Sequence, residues 1–221
     1  MSTFDIGRPG TDSTIKLDSL FTSIQGEGLN AGVPMTFVRL WGCNLSCSFC
    51  DTRQDEKPNS INPIPEVISG INDIRGNSPN VCITGGEPLN QIKGLYYLLF
   101  RLRSSIPGVK IFLETNGTID HPMIPLIIRM VDYITVSPKM GIQWNEDLIA
   151  AAHEVRCPIT CAEDLERFDR GLDILDYTGP RLVSPVLING ESIPINFLVA
   201  WLKIHPGWRL SVQIHKLLDI L

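Results

Sequence analysis

Three cysteines stand within eight positions, Cys43, Cys47 and Cys50, just after an apolar run at 35–40 that reads as a buried strand. Thiolates at this spacing on one loop can converge on one metal centre. Three protein ligands around an iron–sulfur cubane leave one iron without a thiolate. Such an iron can bind a small molecule, which a closed four-cysteine electron-transfer cluster does not do easily. A structural zinc site uses the same ligand type but normally takes four ligands, and no His or further Cys stands close by in sequence. A chance grouping of unpaired thiols is the third reading, and the spacing by itself leaves all three open.

Several other short runs carry chemistry, each with a plainer alternative. Residues 84–88 read Thr-Gly-Gly-Glu-Pro at the end of a strand-like run. The glycines allow close backbone approach to a ligand and Glu87 could accept from an ammonium, though the same residues also make an ordinary turn before a helix. Residues 25–28, Gln-Gly-Glu-Gly, offer an amide and a carboxylate on a permissive backbone. Arg39 sits inside an apolar strand and needs a partner, either a structural carboxylate or an anionic ligand suited to its fork of donors. Asp51 and Thr52 follow the last cysteine and read as a turn or helix cap. Ser137, Pro138 and Lys139 end another strand-like run, and Gln213 and His215 end the last one. A lone His is more often structural than functional. Cys82, Cys157 and Cys161 fall in strand-like runs. Cys157 and Cys161 are four apart, hence on one side of an extended strand, where a second metal could sit, although buried free Cys is common. Trp201 and Trp208 read as core or interface residues.

The elements that would position these residues alternate. Strands are predicted at 35–40, 81–84, 109–113, 133–136, 156–161, 181–186 and 209–214. Helices are predicted at 64–74, 89–102, near 124–130, at 146–155, around Leu165, Phe168, Leu172 and Leu175, and around Ile195, Leu198, Val199 and Leu202. In 64–74 the residues Ile64, Val67, Ile68, Ile71 and Ile74 share one helical face, with Pro65 near the start. Repeated strand–helix units imply parallel strands with helical crossovers, and the strand C-terminal ends are where such folds carry active sites. The helices are too few for an eight-fold barrel, so the expected fold class is α/β, a partial, open barrel. Residues 1–14, rich in Ser, Thr, Gly and Asp, are expected to form a flexible arm, and 15–221 a single domain.

Composition narrows the partners. The 221 residues are 43% hydrophobic with a formal net charge of −5. That suits one domain with a real core and lacks the basic stripe of a nucleic-acid binder. No apolar run approaches the ~20 residues of a membrane span, and the first residues show no apolar secretory segment. A cytoplasmic protein is expected, in which crowded cysteines point to metal rather than disulfides.

The Cys-x3-Cys-x2-Cys spacing resembles the signature of the radical S-adenosylmethionine (SAM) superfamily. The surrounding residues are similar to the 7-carboxy-7-deazaguanine synthase family in particular: 23–28 (Ser-Ile-Gln-Gly-Glu-Gly), Pro34, 37–40 (Phe-Val-Arg-Leu), 42–45 (Gly-Cys-Asn-Leu), 50–52 (Cys-Asp-Thr), 84–88, 114–117 (Glu-Thr-Asn-Gly), 137–139, 208–213 (Trp-Arg-Leu-Ser-Val-Gln), and His215 with Lys216. The resemblance spans about residues 20–221, with the motifs in family order. It implies an open radical SAM barrel and a carbon–nitrogen lyase that converts 6-carboxy-5,6,7,8-tetrahydropterin to 7-carboxy-7-deazaguanine and ammonia. It implies a [4Fe–4S] cluster on Cys43, Cys47 and Cys50, SAM at Gly86, Glu87, Ser137, Pro138 and Lys139, and Mg2+ on Thr52. It assigns Ile24, Gln25, Gly26, Arg39 and Thr84 to the pterin, and no catalytic side chain beyond the cofactor ligands. An external electron donor and a homodimer come with it. A glycyl-radical activating enzyme shares the cysteine spacing but acts on a protein; the Gln-Gly-Glu-Gly start and the 213–216 tail argue against it.

Overall fold

The computed structural model describes residues 13–50, 58, 60–186 and 193–220. Its strands are β1 (Thr14–Ile24), β2 (Pro34–Leu40), β3 (Ser60–Pro63), β4 (Asn80–Gly85), β5 (Lys110–Thr115), β6 (Tyr133–Val136), β7 (Glu154–Ile159), β8 (Arg181–Pro185) and β9 (Trp208–Leu210). Its helices are α1 (Ile64–Ile74), α2 (Ile92–Ser105), α3 (Ile124–Met130), α4 (Glu146–Ala150), α5 (Ala162–Ile174), α6 (Ile195–Ile204) and α7 (Ile214–Leu218). The strands form one sheet in the order β3-β1-β2-β4-β5-β6-β7-β8-β9. All neighbours from β2 to β9 run parallel, and the described strands leave the sheet open, with β3 and β9 at its edges. The expected open, mostly parallel α/β fold is therefore present.

Helices form where the apolar period is 3.6 and pack on one face of the sheet. In α1, Ile64, Val67, Ile68 and Ile71 are buried, at the i, i+3, i+4, i+7 spacing of a core-facing stripe, and Pro65 lies in the first turn, where its missing N–H costs nothing. In α5, Leu165, Phe168 and Leu172 are buried, and Cys161 with Asp164 makes a reciprocal cap at its start. These faces meet the outward residues of the strands, including Val38, Ile83, Leu113, Val136, Val155 and Val183, in one core.

The structure corrects the sequence reading at several places. β1 and β3 were not expected, and both pair antiparallel, β1 with β2 and with β3. A register shift between Leu17 and Ser19 breaks the alternation that would have marked β1. Thr14 pairs with Pro63 and the Ser13 carbonyl accepts from Ile64 N–H, so residues 13 and 14 already belong to the fold. The helix expected over 146–155 ends at Ala150 and β7 starts at Glu154, because the residues after Ala151 turn into the sheet through His153 N–H bonded to the Ile134 carbonyl. The last strand is only three residues long and is followed by α7. Cys161 is not on a strand but exposed at the cap of α5, whereas Cys157 is buried on the helix-facing side of β7. Those two thiols do not share a strand face, and the second-metal reading is withdrawn.

Candidate functional site

Because side chains alternate along a strand, residues between the outward apolar ones face the inside of the curved sheet. On β2 the outer core takes Val38 and Leu40, and Arg39 faces the pocket. On β4 it takes Val81 and Ile83, leaving Thr84. On β5 it takes Ile111 and Leu113, leaving Glu114; on β7 it takes Val155, Cys157 and Ile159, leaving Arg156. One pocket of about 990 Å3 collects these inward residues at the strand ends, at the upper end of the ~300–1,000 Å3 usual for small-molecule sites.

The cysteine loop forms one wall. Cys43, Cys47 and Cys50 are free thiols lining the pocket, Cys43 and Cys50 exposed and Cys47 half-buried. The loop is stitched to the end of β4: Gly86 N–H donates to the Leu40 carbonyl at 3.1 Å and Glu87 N–H to the Gly42 carbonyl at 2.8 Å. A Cβ on Gly86 would stand 2.5 Å from the Gly42 carbonyl oxygen and 2.9 Å from Cys43 Cβ, so only glycine lets these backbones meet beside the thiols. The Cys43 thiol is raised by burial, lowered by the Leu45 N–H, and raised again by Glu87 and the other two thiols. Three thiols on one pocket wall with a carboxylate behind them would bind a metal centre as thiolates. The donor set fits a [4Fe–4S] cluster on three thiolates, although among the described residues no three Cys, His, Asp or Glu stand close enough together to hold a single metal ion.

The second wall joins β4, β5 and β6. Gly86, Ser137 and Lys139 line the pocket; Pro138 is buried between the last two. Lys139 Nζ donates to the Ser137 carbonyl at 2.7 Å and to Ser137 Oγ at 2.8 Å, and burial lowers its pKa. Glu87 stands behind this wall rather than on it. It is fully buried, and its carboxylate accepts from Leu89 N–H (3.0 Å), Thr115 Oγ1 (2.8 Å) and Asn116 N–H (2.6 Å). Burial raises its pKa against those three donors. Asn116 in turn donates from Nδ2 to Asn44 Oδ1 at 2.9 Å, which ties the β5 end to the cysteine loop.

The third wall is a strap. After β1 the chain turns through Gln25–Glu27 and reaches the far end of the sheet. Leu29 N–H donates to Glu154 Oε2 at 2.7 Å, Gly28 N–H to Ser211 Oγ at 2.9 Å, and Ile214 N–H to the Gly26 carbonyl at 2.9 Å. Gly28 has φ +73°, and the Glu154 carboxylate occupies the space a Cβ would need. Thus the 25–28 and 211–215 motifs, nearly the whole chain apart, close one side of the pocket together, with His215 against Gly26.

Beneath the strap lies a polar network. Glu114 Oε1 accepts from Arg156 at 2.8 Å and from Gln25 Nε2 at 3.1 Å, and its Oε2 from Thr84 Oγ1 at 2.9 Å. Arg156 also faces Glu27 at 3.5 Å, and Glu27 accepts from Gln213 Nε2 at 2.7 Å and from Ser184 Oγ at 3.3 Å. Burial raises the Glu114 carboxyl, but the Arg156 guanidinium with Thr84 and Gln25 holds it below the usual carboxylate range. Arg39 lies over the Phe21 ring, 5.6 Å from its centroid, and Phe21 stacks on Phe37 at 5.1 Å.

The structure therefore brings Ile24, Gln25, Gly26, Arg39, Thr84, Gly86, Ser137, Lys139 and the three cysteines to one pocket. Thr52, expected as a magnesium ligand, lies outside the described residues. Arg156 and the inward role of Glu114 were not singled out beforehand, though a charged residue next to apolar ones inside a strand is the signal that marks them.

Comparisons with known proteins agree with this geometry. Residues 41–156 match the family model described as the Radical SAM superfamily. The chain is 32% identical over 209 residues to a 7-carboxy-7-deazaguanine synthase of Bacteroides thetaiotaomicron, covering 93% of this chain and 98% of that one. It is 42% identical over 211 residues to the 7-carboxy-7-deazaguanine synthase of Methanospirillum hungatei, covering 94% and 87%. The crystal structure of QueE from Escherichia coli superposes with a TM-score of 0.72 at 25% identity, over 90% of this chain and 94% of that one.

Proposed function

This chain belongs to the 7-carboxy-7-deazaguanine synthase family of the radical SAM superfamily, and we propose that its pocket carries out that family's reaction with the residues set out below. The enzyme is a carbon–nitrogen lyase that uses a [4Fe–4S] cluster and SAM. It converts 6-carboxy-5,6,7,8-tetrahydropterin to 7-carboxy-7-deazaguanine and ammonia. When bound, the cluster supplies the electron that cleaves SAM to methionine and a 5′-deoxyadenosyl radical.

The observation that carries this reading is convergence: the thiol loop, the Gly86 approach and the inward polar residues of β2, β4, β5 and β7 open on one pocket. Cys43, Cys47 and Cys50 hold the cluster. Gly86 leaves room for the methionyl end of SAM beside them, and Ser137 and Lys139 offer a hydroxyl and an ammonium to its polar groups. Glu87 acts from behind, fixing Thr115 and Asn116. Gln25, Gly26, Thr84 and Glu114 present the amide, backbone and carboxylate groups that a pterin edge can pair with. Arg39, packed on Phe21, is placed for the substrate carboxylate. Thr52 would supply a hydroxyl oxygen to Mg2+, a cation that prefers oxygen ligands. The strap and the tail exclude water from the reacting centre. An external reductant feeds the cluster, and the protein works as a homodimer. Six free thiols fit a cytoplasmic location, and no described helix is long and apolar enough to cross a membrane.

A pocket walled by Gln25, Glu27, Glu114 and Arg156 suits a small polar ring better than a polypeptide, which disfavours a glycyl-radical activating enzyme. Product analysis separates the two. Anaerobically reconstituted protein given SAM, a reductant and the carboxypterin should release ammonia and form 7-carboxy-7-deazaguanine; SAM cleavage with the pterin untouched would leave the superfamily and remove the substrate. Activity should rise with added Mg2+, and Thr52→Ala should blunt that response.

A further inference from the structure

The Arg156 guanidinium bridges two carboxylates of the pocket. Its NH2 lies 2.8 Å from Glu114 Oε1 and its NH1 3.5 Å from Glu27 Oε2. The two acids come from elements far apart in the chain, Glu114 from β5 and Glu27 from the strap after β1. Arg156 itself is only 7% exposed. Burial works against its charge, but Glu114, Glu27 and Glu154 more than offset that and keep it cationic.

We propose that Arg156 is the positioning residue of the pterin subsite, holding Glu27 and Glu114 as a fixed pair of acceptors on the pocket wall. This rests on the reading of that pocket as the pterin site. Two carboxylates brought together inside a protein do not both stay charged unless a cation stands between them. Arg156 is that cation, and its two nitrogens serve one acid each. A lysine would bring the charge but a single ammonium, too compact to span both acids with the same geometry. The bridge also couples the two ends of the chain. Glu27 is held from its other side by Gln213 and Ser184, and Glu114 by Gln25 and Thr84. The acids keep their lone pairs aimed inward only while the guanidinium holds the centre.

The protonation consequence has a definite sign. With Arg156 present, Glu114 titrates below the usual carboxylate range and stays ionised through neutral pH. The other titratable groups facing this pocket are Glu27 on the strap, Arg39 on β2, Cys82 on β4, Lys139 after β6, Glu154 on β7, and His215 and Lys216 on α7. Arg39 is set over Phe21, the Lys139 ammonium donates to Ser137 and that of Lys216 to Gln213; the charge that lowers Glu114 is that of Arg156, so removing it leaves burial to push Glu114 upward.

The test uses reconstituted holoenzyme, with KM measured separately for the carboxypterin and for SAM. Arg156→Gln should raise the pterin KM about 100-fold and Arg156→Lys about tenfold, as misplaced substrate contacts do, with the KM for SAM within about twofold of wild type. In Arg156→Gln, kcat/KM for the pterin should also fall as the pH is lowered from the alkaline side, because the uncompensated buried Glu114 carboxyl is pushed upward, whereas wild type holds steady through neutral pH. If Arg156→Gln does not fold, Arg156→Lys decides by its KM split and is checked by thermal unfolding. Unchanged pterin KM in a folded variant, or equal rises for both substrates, overturns the assignment. A wild-type enzyme that leaves the carboxypterin untouched removes the pterin reading itself, and the Arg156 role with it.

Discussion

The cysteine loop and the inner face of β5 and β7 meet in one pocket but are held in opposite ways. On the loop, Cys43 and Cys50 are exposed, and the Cys43 sulfur has two long amide contacts, from Leu45 N–H at 3.4 Å and Asn116 Nδ2 at 4.0 Å. On the inner face, Glu114 accepts three side-chain hydrogen bonds and Arg156 bridges two acids. The first region contributes little to folding and is completed by what it binds. The second is tied together by its own side chains, and taking Arg156 away leaves two carboxylates without their shared cation. The difference separates two tasks: the loop accepts a cofactor that brings the hard chemistry, and the sheet supplies a pre-set surface that reads the substrate.

That contrast predicts opposite outcomes for substitutions in the two regions. The largest effect on function belongs to the loop. Cys43→Ala, Cys47→Ala or Cys50→Ala should abolish the visible iron–sulfur absorption and all product formation, yet shift the urea stability of the metal-free protein by only about 0.5 kcal/mol, as exposed positions do. Full cluster content in Cys47→Ala would contradict the ligand set. The largest effect on stability belongs to the inner face. Glu114→Ala removes the shorter of the two Arg156 ion pairs, leaving Glu27 at 3.5 Å, and should cost the metal-free protein about 3 kcal/mol. An unshifted urea midpoint would break the contrast.

Stability against pH sharpens it further. Glu114 has its pKa lowered in the fold, so its contribution is present above the unfolded carboxylate range, about 4.3, and is lost as pH falls through the lower folded value. Glu114→Gln should flatten that acid-side loss in urea titrations, and the cysteine variants should keep it. Glu87→Gln is expected to be milder, about 1–3 kcal/mol, since it puts an amide donor against the Asn116 or Leu89 N–H. Smallest of all, Cys82→Ala should cost about 1 kcal/mol and spare both cluster and turnover, because Cys82 lies in a separate apolar cluster with Met35 and Phe37.

The two regions were also unequally legible. The cysteine loop announces itself by local spacing, and α1 and α5 by their periodic stripes. The parallel strands were visible as apolar runs because most of them bury one face against helices. β1 was hidden because its bulge near Ser19 shifts the alternation, and the end of α4 because no Gly, Pro or Asn marks the step from Ala150 through Ala151, Ala152 and His153 into β7. Glu114 and Arg156 show the limit of reading along the chain. Each stands in plain sight within an apolar strand, but their pairing depends on β5 and β7 lying on either side of β6, which no spacing states. The strap between Gly26 and Ile214 is similarly a property of the closed shape, although both its motifs were noted separately.

The central claim, that a cofactor on the thiol loop acts on a pterin held by the sheet, is tested most directly by isotope transfer. Carboxypterin deuterated at the abstracted position is incubated anaerobically with reconstituted enzyme, a reductant and limiting SAM. The expected result is deuterium in the recovered SAM and more 7-carboxy-7-deazaguanine than SAM supplied. Product never exceeding SAM, with no deuterium in it, would contradict the account.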